Sequence, residues 1–124
     1  MLQLILIAAG GAVGALLRFW VHSGMASTLA REFPYGTLVI NVVGSFFMGL
    51  IFTWVLAKGS LSPEWRTALT VGLLGAFTTF STFSIETMSL IESGELSKAG
   101  LNILLSVLLC LVGCWLGMML GRQV

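Results

Sequence analysis

Residues 72–84 read GLLGAFTTFSTFS and set hydroxyls, glycines and phenyl rings in the middle of an apolar stretch. Hydrocarbon would demand leucine there, because polar or irregular backbone within a bilayer is tolerated only where protein or a solvated path covers it. The chemistry on offer is hydrogen-bond donation and ring-edge electrostatics. A phenyl ring is negative on its face and positive at its edge, so Phe80 and Phe83, neighbours at helical spacing, can turn their edges to a small anion. Ser81, Thr82 and Ser84 add hydroxyl donors beside them. Aromatic pairs at this spacing more often fill cores, but the interleaved hydroxyls shift the balance towards a path for an anion.

Polar residues recur at one-turn intervals in two other apolar stretches. Thr37, Asn41 and Ser45 share one helical face, and Asn102, Ser106 and Cys110 share another. Each stripe either lines a path or bonds neighbouring helices. Arg18 lies about one turn inside the first apolar stretch, where it either snorkels to the headgroups or forms an anion-attracting vestibule. Glu86 is the one candidate for a carboxylate buried in a span, but it lies too near the span's end for a proton-coupled substrate site. His22 reads as interfacial. Cys110 and Cys114, one turn apart, are too few for structural zinc and read as packing residues. No catalytic residue is expected, and the chain does not read as an enzyme.

The elements that must position these residues are membrane spans. Of 124 residues, 57% are hydrophobic and 9% charged, against about 25% charged in a soluble domain. A net charge of +1 with scattered basic residues excludes a nucleic-acid binder driven by phosphate neutralisation. Apolar stretches cover 2–21, 35–57, 67–91 and 99–121, each long enough for a bilayer crossing, so residues 1–124 form one four-helix transmembrane domain. The first stretch has no Lys or Arg ahead of it and is read as a retained helix rather than a secretory signal. Pro34 and Pro63 mark helix starts, and Trp20, Tyr35, Trp54 and Trp65 fall near span ends.

Four spans put both termini on one side with Lys58, Arg66 and Arg122, against Arg31, Lys98 and an outward-reaching Arg18 on the other. Without a clear basic excess on either side the chain is expected to insert both ways, and oppositely oriented copies to pair as an antiparallel homodimer. A four-helix bundle fills its own interior, so a path is expected between subunits. The Gly10–Gly14 and Gly113–Gly117–Gly121 runs predict close helix approach. A straight helix over 67–91 would reach about 37 Å against a hydrocarbon core of about 30 Å. Gly72, Gly75, Thr78 and Thr79 are poor helix formers, so a break is expected around residues 75 to 79, with freed carbonyls available to a hard cation such as sodium.

Three segments, GGAVGALLR at 10–18, GTLVINVVGS at 36–45 and GAFTTFSTFS at 75–84, resemble the Fluc (CrcB) family of bacterial fluoride channels, and the likeness runs the whole length of the chain. The resemblance implies an all-α membrane protein of four spans, the third broken near its middle, forming an antiparallel dual-topology homodimer with two pores between the subunits. It implies passive export of fluoride across the inner membrane of a bacterium. On that likeness Phe80 and Phe83 line each pore, Asn41 donates to the passing ion, and Thr37 and Ser106 are further polar positions, with Ser81 and Thr82 beside them. Arg18 matches the basic vestibule residue. A structural sodium ion is implied at the dimer centre, on backbone carbonyls of Gly75 and Thr78 from each subunit. Asn102 stands where some relatives place a tyrosine.

Two other readings fit parts of the pattern. A small dual-topology multidrug transporter has the right size and charge balance but needs a carboxylate deep in a span, and the first span holds none. A non-transporting assembly subunit would explain the glycines but not the hydroxyl and phenylalanine run.

Overall fold

The computed structural model describes residues 1–26 and 32–124. Arg31, one of the charges weighed for orientation, lies outside the described residues. The described residues are helical, with no strands among them. Four helical stretches, Leu2–Gly24, Tyr35–Lys58, Pro63–Glu92 and Leu96–Gln123, are long and apolar enough to cross a membrane. We label Leu2–Gly24 α1, Tyr35–Lys58 α2 and Leu96–Gln123 α6; the third stretch comprises α3 (Pro63–Thr67), a π-helical segment at Ala68–Leu74, α4 (Gly75–Phe77) and α5 (Phe80–Glu92).

Local chemistry sets these boundaries. Pro63 opens α3 after an extended Ser62, where its missing N–H costs nothing. Pro34 precedes the first residue of α2. At the other end of α2, Gly59 takes φ of 56° and returns its amide to the Val55 carbonyl, a conformation that favours glycine.

Glycines decide which helices touch. A methyl group on Gly117 would run into the Phe46 carbonyl oxygen and come within 2.9 Å of the Leu50 amide nitrogen; one on Gly113 would lie 3.2 Å from the Val42 oxygen. A methyl on Gly121 would lie 2.7 Å from the Leu50 oxygen, and on Gly49 it would strike the Cys114 carbonyl. The double small-residue run of α6 is therefore the seam against α2, and the matched residues advance in the same direction along both helices. On the far side, Gly10 of α1 sits against Ala68 and Leu73, Gly14 against the Leu73 carbonyl, and Gly72 against the Ile7 carbonyl. The π-helical segment is thus the surface on which α1 rests. Most apolar residues of α1 point away from the rest of the chain, and Gly14 alone is buried in it.

The third stretch shows no sharp break, and its extended backbone is confined to the last two residues of the expected range 75 to 79. Gly75, Ala76 and Phe77 keep helical geometry, and only Thr78 (ψ 158°) and Thr79 (φ −152°, ψ 118°) are extended. The whole stretch bends by only 17°. Glycine's low helix propensity at position 75 is overridden by packing: the Ala76 side chain next to it closes onto Gly14 of α1. The β-branched threonines, stiff at χ1 and suited to extended backbone, take up the irregularity instead. The wider turn at Ala68–Leu74 had no signal in the residue types.

The seam gives a direct test. Gly117→Ala is expected to cost about 1–3 kcal/mol through overpacking and to lower the thermal unfolding midpoint in detergent. Gly100→Ala, at a position with open space around it, is expected to leave that midpoint unchanged or raised. Equal effects at the two positions would refute the seam.

Candidate functional site: a donor-lined groove

The two extended threonines leave backbone groups without helical partners, and a side chain from α2 takes them up. Asn41 Nδ2 donates to the Thr79 carbonyl oxygen at 3.0 Å, and the Thr79 amide donates to Asn41 Oδ1 at 2.8 Å. The side-chain amide therefore pairs with Thr79 as a neighbouring strand would. In an uninterrupted helix the Thr79 amide would serve the Gly75 carbonyl, so the Asn41 pairing strips Gly75 of its helical donor. Thr78 keeps its own link, its amide and hydroxyl both donating to the Leu74 carbonyl.

Thr79 also starts the next helix. Its Oγ1 accepts from the Thr82 amide at 3.2 Å and donates to the Thr82 hydroxyl at 3.0 Å, with the Ser81 hydroxyl 3.3 Å away. This cap launches α5 with Phe80 and Phe83 on adjacent turns, ring centroids 5.3 Å apart and planes tilted by 48°. Phe80 is 78% exposed, which for a phenyl ring calls for a covering partner or lipid.

Asn41, Thr78, Thr79, Phe80, Phe83 and Ser106 face a common open groove of about 460 Å³, continued by Ser45, Met48, Cys110 and Cys114. No charged side chain lines it. Ser106 is held from below by a buried relay: its hydroxyl donates to Asn102 Oδ1 at 3.4 Å, Asn102 Nδ2 donates to Thr87 Oγ1 at 2.9 Å, and the Thr87 hydroxyl donates to the Phe83 carbonyl at 2.7 Å. Asn102, only 2% exposed, thus ties α6 to α5 directly behind the phenylalanines.

A second cavity, about 480 Å³, opens at the end of the bundle between α1, α2 and α5, lined by His22, Glu32, Glu86 and Ser89 among others. Thr37 donates to Glu86 Oε1 at 2.8 Å, and His22 Nε2 stands 3.6 Å from the same oxygen. Glu86 Oε2 is buried and has no hydrogen-bond partner among the described residues.

Residues 5–118 match the family described as CrcB-like protein, Camphor Resistance (CrcB). The chain belongs to the CrcB-like family. It is 55% identical over 98% of its length to a protein of Methylococcus capsulatus named fluoride-specific ion channel FluC, of which it spans about half, 54%. A protein of the same name from Geobacter sulfurreducens is 50% identical over 99% of both chains, and one from Coxiella burnetii 45% identical over 98% of this chain and 99% of the relative.

Within this CrcB-like chain the residues singled out from sequence fall into separate groups. Asn41, Thr78, Phe80, Phe83 and Ser106 meet at the groove. Ser81 and Thr82 sit on the first turn of α5 around Thr79 Oγ1. Thr37, although one turn from Asn41, serves Glu86 at the bundle-end cavity rather than the groove. Arg18 is half-buried on α1 and lines neither cavity. Gly75 lies outside the groove lining. Sequence reasoning missed Thr79 and Thr87 as working residues: a threonine in a hydroxyl-rich run carries no mark of which carbonyl or amide it will meet. It also read His22 as merely interfacial, whereas the imidazole abuts Glu86.

Asn41→Asp keeps an oxygen for the Thr79 amide but loses the N–H given to the Thr79 carbonyl. It is expected to cost about 1–3 kcal/mol, and Asn41→Leu, which abandons both partners, more. Thermal unfolding in detergent checks the order; a neutral Asn41→Leu would show that the pairing does not hold the segment.

Proposed function

We propose that this chain is a passive fluoride channel in the inner membrane of a bacterium, lowering the cell's fluoride. The observation that carries the reading is the groove of phenyl rings, amide and hydroxyl donors with no charged side chain, in a chain about half identical to relatives named fluoride-specific ion channels. Fluoride is small and holds its water tightly, so a path must replace that water with close donors yet bind weakly enough for release. Asn41 Nδ2 carries two hydrogens and gives one to Thr79, leaving the other for an anion in the groove. The Ser106 hydroxyl, held only by a long 3.4 Å bond, can turn to the ion as well. Phe80 and Phe83 contribute ring edges, favourable to an anion without trapping it. Ser81 and Thr82 hydroxyls continue the donor series, whereas Thr37, one turn along α2, spends its hydroxyl hydrogen on Glu86 and would join the path only if that bond turned over; Arg18, outside both cavities, would raise the local anion concentration on the approach to the path.

The groove is open along one side in a single chain, and the exposed Phe80 ring stands at that opening. We take a second, oppositely inserted copy to close it, giving an antiparallel homodimer with two pores between the subunits. The interruption at Thr78 and Thr79 is the break that serves assembly. Loss of the helical donor at Gly75 fits a carbonyl site there, and the carbonyls of Gly75 and Thr78 from both subunits would hold a structural sodium ion. Bound there, sodium supplies fixed positive charge that neutralises clustered carbonyl dipoles at mid-membrane.

Liposomes loaded with fluoride and carrying the purified chain are expected to release it without a proton gradient, as read by a fluoride electrode. Phe80→Ile is expected to abolish release while the dimer still assembles. No release, or release that requires a proton gradient, would overturn the channel reading. For the dual topology, Ser60→Cys is expected to react with impermeant maleimide from both faces of the membrane; labelling from one face alone would exclude it.

A further inference from the structure

Three sulfur side chains share the part of the groove away from the phenylalanines. Cys110 and Cys114 are free thiols one turn apart on α6, and Met48 reaches the same wall from α2. The register between the two helices brings them together. The Cys110 thiol lies against the Ser45 hydroxyl, and the Cys114 backbone abuts Gly49, whose missing side chain lets the helices close. Met48 sits between those two levels and next to Ser45 at helical spacing.

We propose that Cys110, Cys114 and Met48 form a binding site for one soft monovalent cation, of the silver(I) or copper(I) class. The donor set selects the ion: thiolate and thioether sulfur favour soft cations, whereas magnesium and calcium want oxygen. Zinc needs four ligands, and no cluster of three or more His, Cys, Asp or Glu residues that could hold a metal occurs among the described residues. Side chains one turn apart on a helix have Cβ atoms about 5–6 Å apart. A side chain of one Cβ–S bond lets sulfurs at that spacing turn towards each other and straddle a single ion.

Charge sets the stoichiometry of the step. No charged side chain lines the groove, and the sulfurs stand beside Leu111 and Val107, so the neutral complex is favoured over a charged one. One Cys S–H bond breaks and its proton goes to the buffer, an S–metal bond forms on the resulting thiolate, and the second thiol and the Met48 thioether coordinate as neutral donors. No electron is transferred.

The site does not rest on fluoride conduction and is tested without it. Silver nitrate is titrated into the purified chain in detergent and chloride-free buffer, followed by calorimetry, proton release and the count of maleimide-reactive thiols. The expected result is one silver bound and one proton released per chain, with both thiols protected from maleimide. Cys110→Ser and Cys114→Ser are each expected to weaken binding more than about tenfold, and Met48→Leu to weaken it with both thiols intact. Unchanged affinity in the double serine variant would overturn the site. So would two independently bound silver ions per chain with Met48→Leu silent.

Discussion

The pairing of the Asn41 side chain with the backbone of Thr79 is the interaction on which the rest of the site depends. Two extended residues inside a membrane span leave backbone polar groups without helical partners, and each such group left unpaired in an apolar surrounding costs several kcal/mol by order of magnitude. Asn41 removes that penalty at Thr79 with one side chain that both donates and accepts. In doing so it fixes where α5 begins, through the Thr79 cap, and therefore which way Phe80 and Phe83 face. It also frees the Gly75 carbonyl, so the same contact that shapes the donor-lined wall prepares the proposed cation site.

That contact is possible only because the helices approach closely. Without a hydrophobic force between helices in lipid, association relies on packing and hydrogen bonds. The glycines of α6 bring it against α2, and those of α1 bring it against the π-helical segment. Gly44 makes the link explicit: a methyl there would collide with the Thr78 side chain, one turn from Asn41. The relay from Ser106 through Asn102 and Thr87 to the Phe83 carbonyl then locks α6 behind α5. Small residues and polar bonds thus act as one system, the first setting the distance over which the second can form.

The polar residues of the spans divide by charge. The groove holds amides, hydroxyls, rings and sulfur with no charged group, while the ionisable pair of His22 and Glu86 is kept at the bundle end with Thr37. A fixed charge beside the rings would bind an anion too tightly or repel it, so the separation suits the proposed anion path.

Four helices able to cross a membrane and the tight glycine seams followed from composition and spacing alone, because bilayer thickness and the cost of polar groups in hydrocarbon act on residue type. Asn41, Phe80, Phe83, Ser106 and Thr37 each stood out by residue type, but only the family resemblance joined them into one path. Tertiary structure decided the partners. It assigned Asn41 to Thr79 and Thr37 to Glu86, although the two α2 residues share a face and look alike in the sequence. It kept Gly75 helical against its propensity and put the extended backbone on two threonines instead. It also widened the turn at Ala68–Leu74 to seat α1. Each of these outcomes depends on which backbone group lies within about 3 Å of a side chain once the helices have closed, and no spacing along one chain encodes that distance.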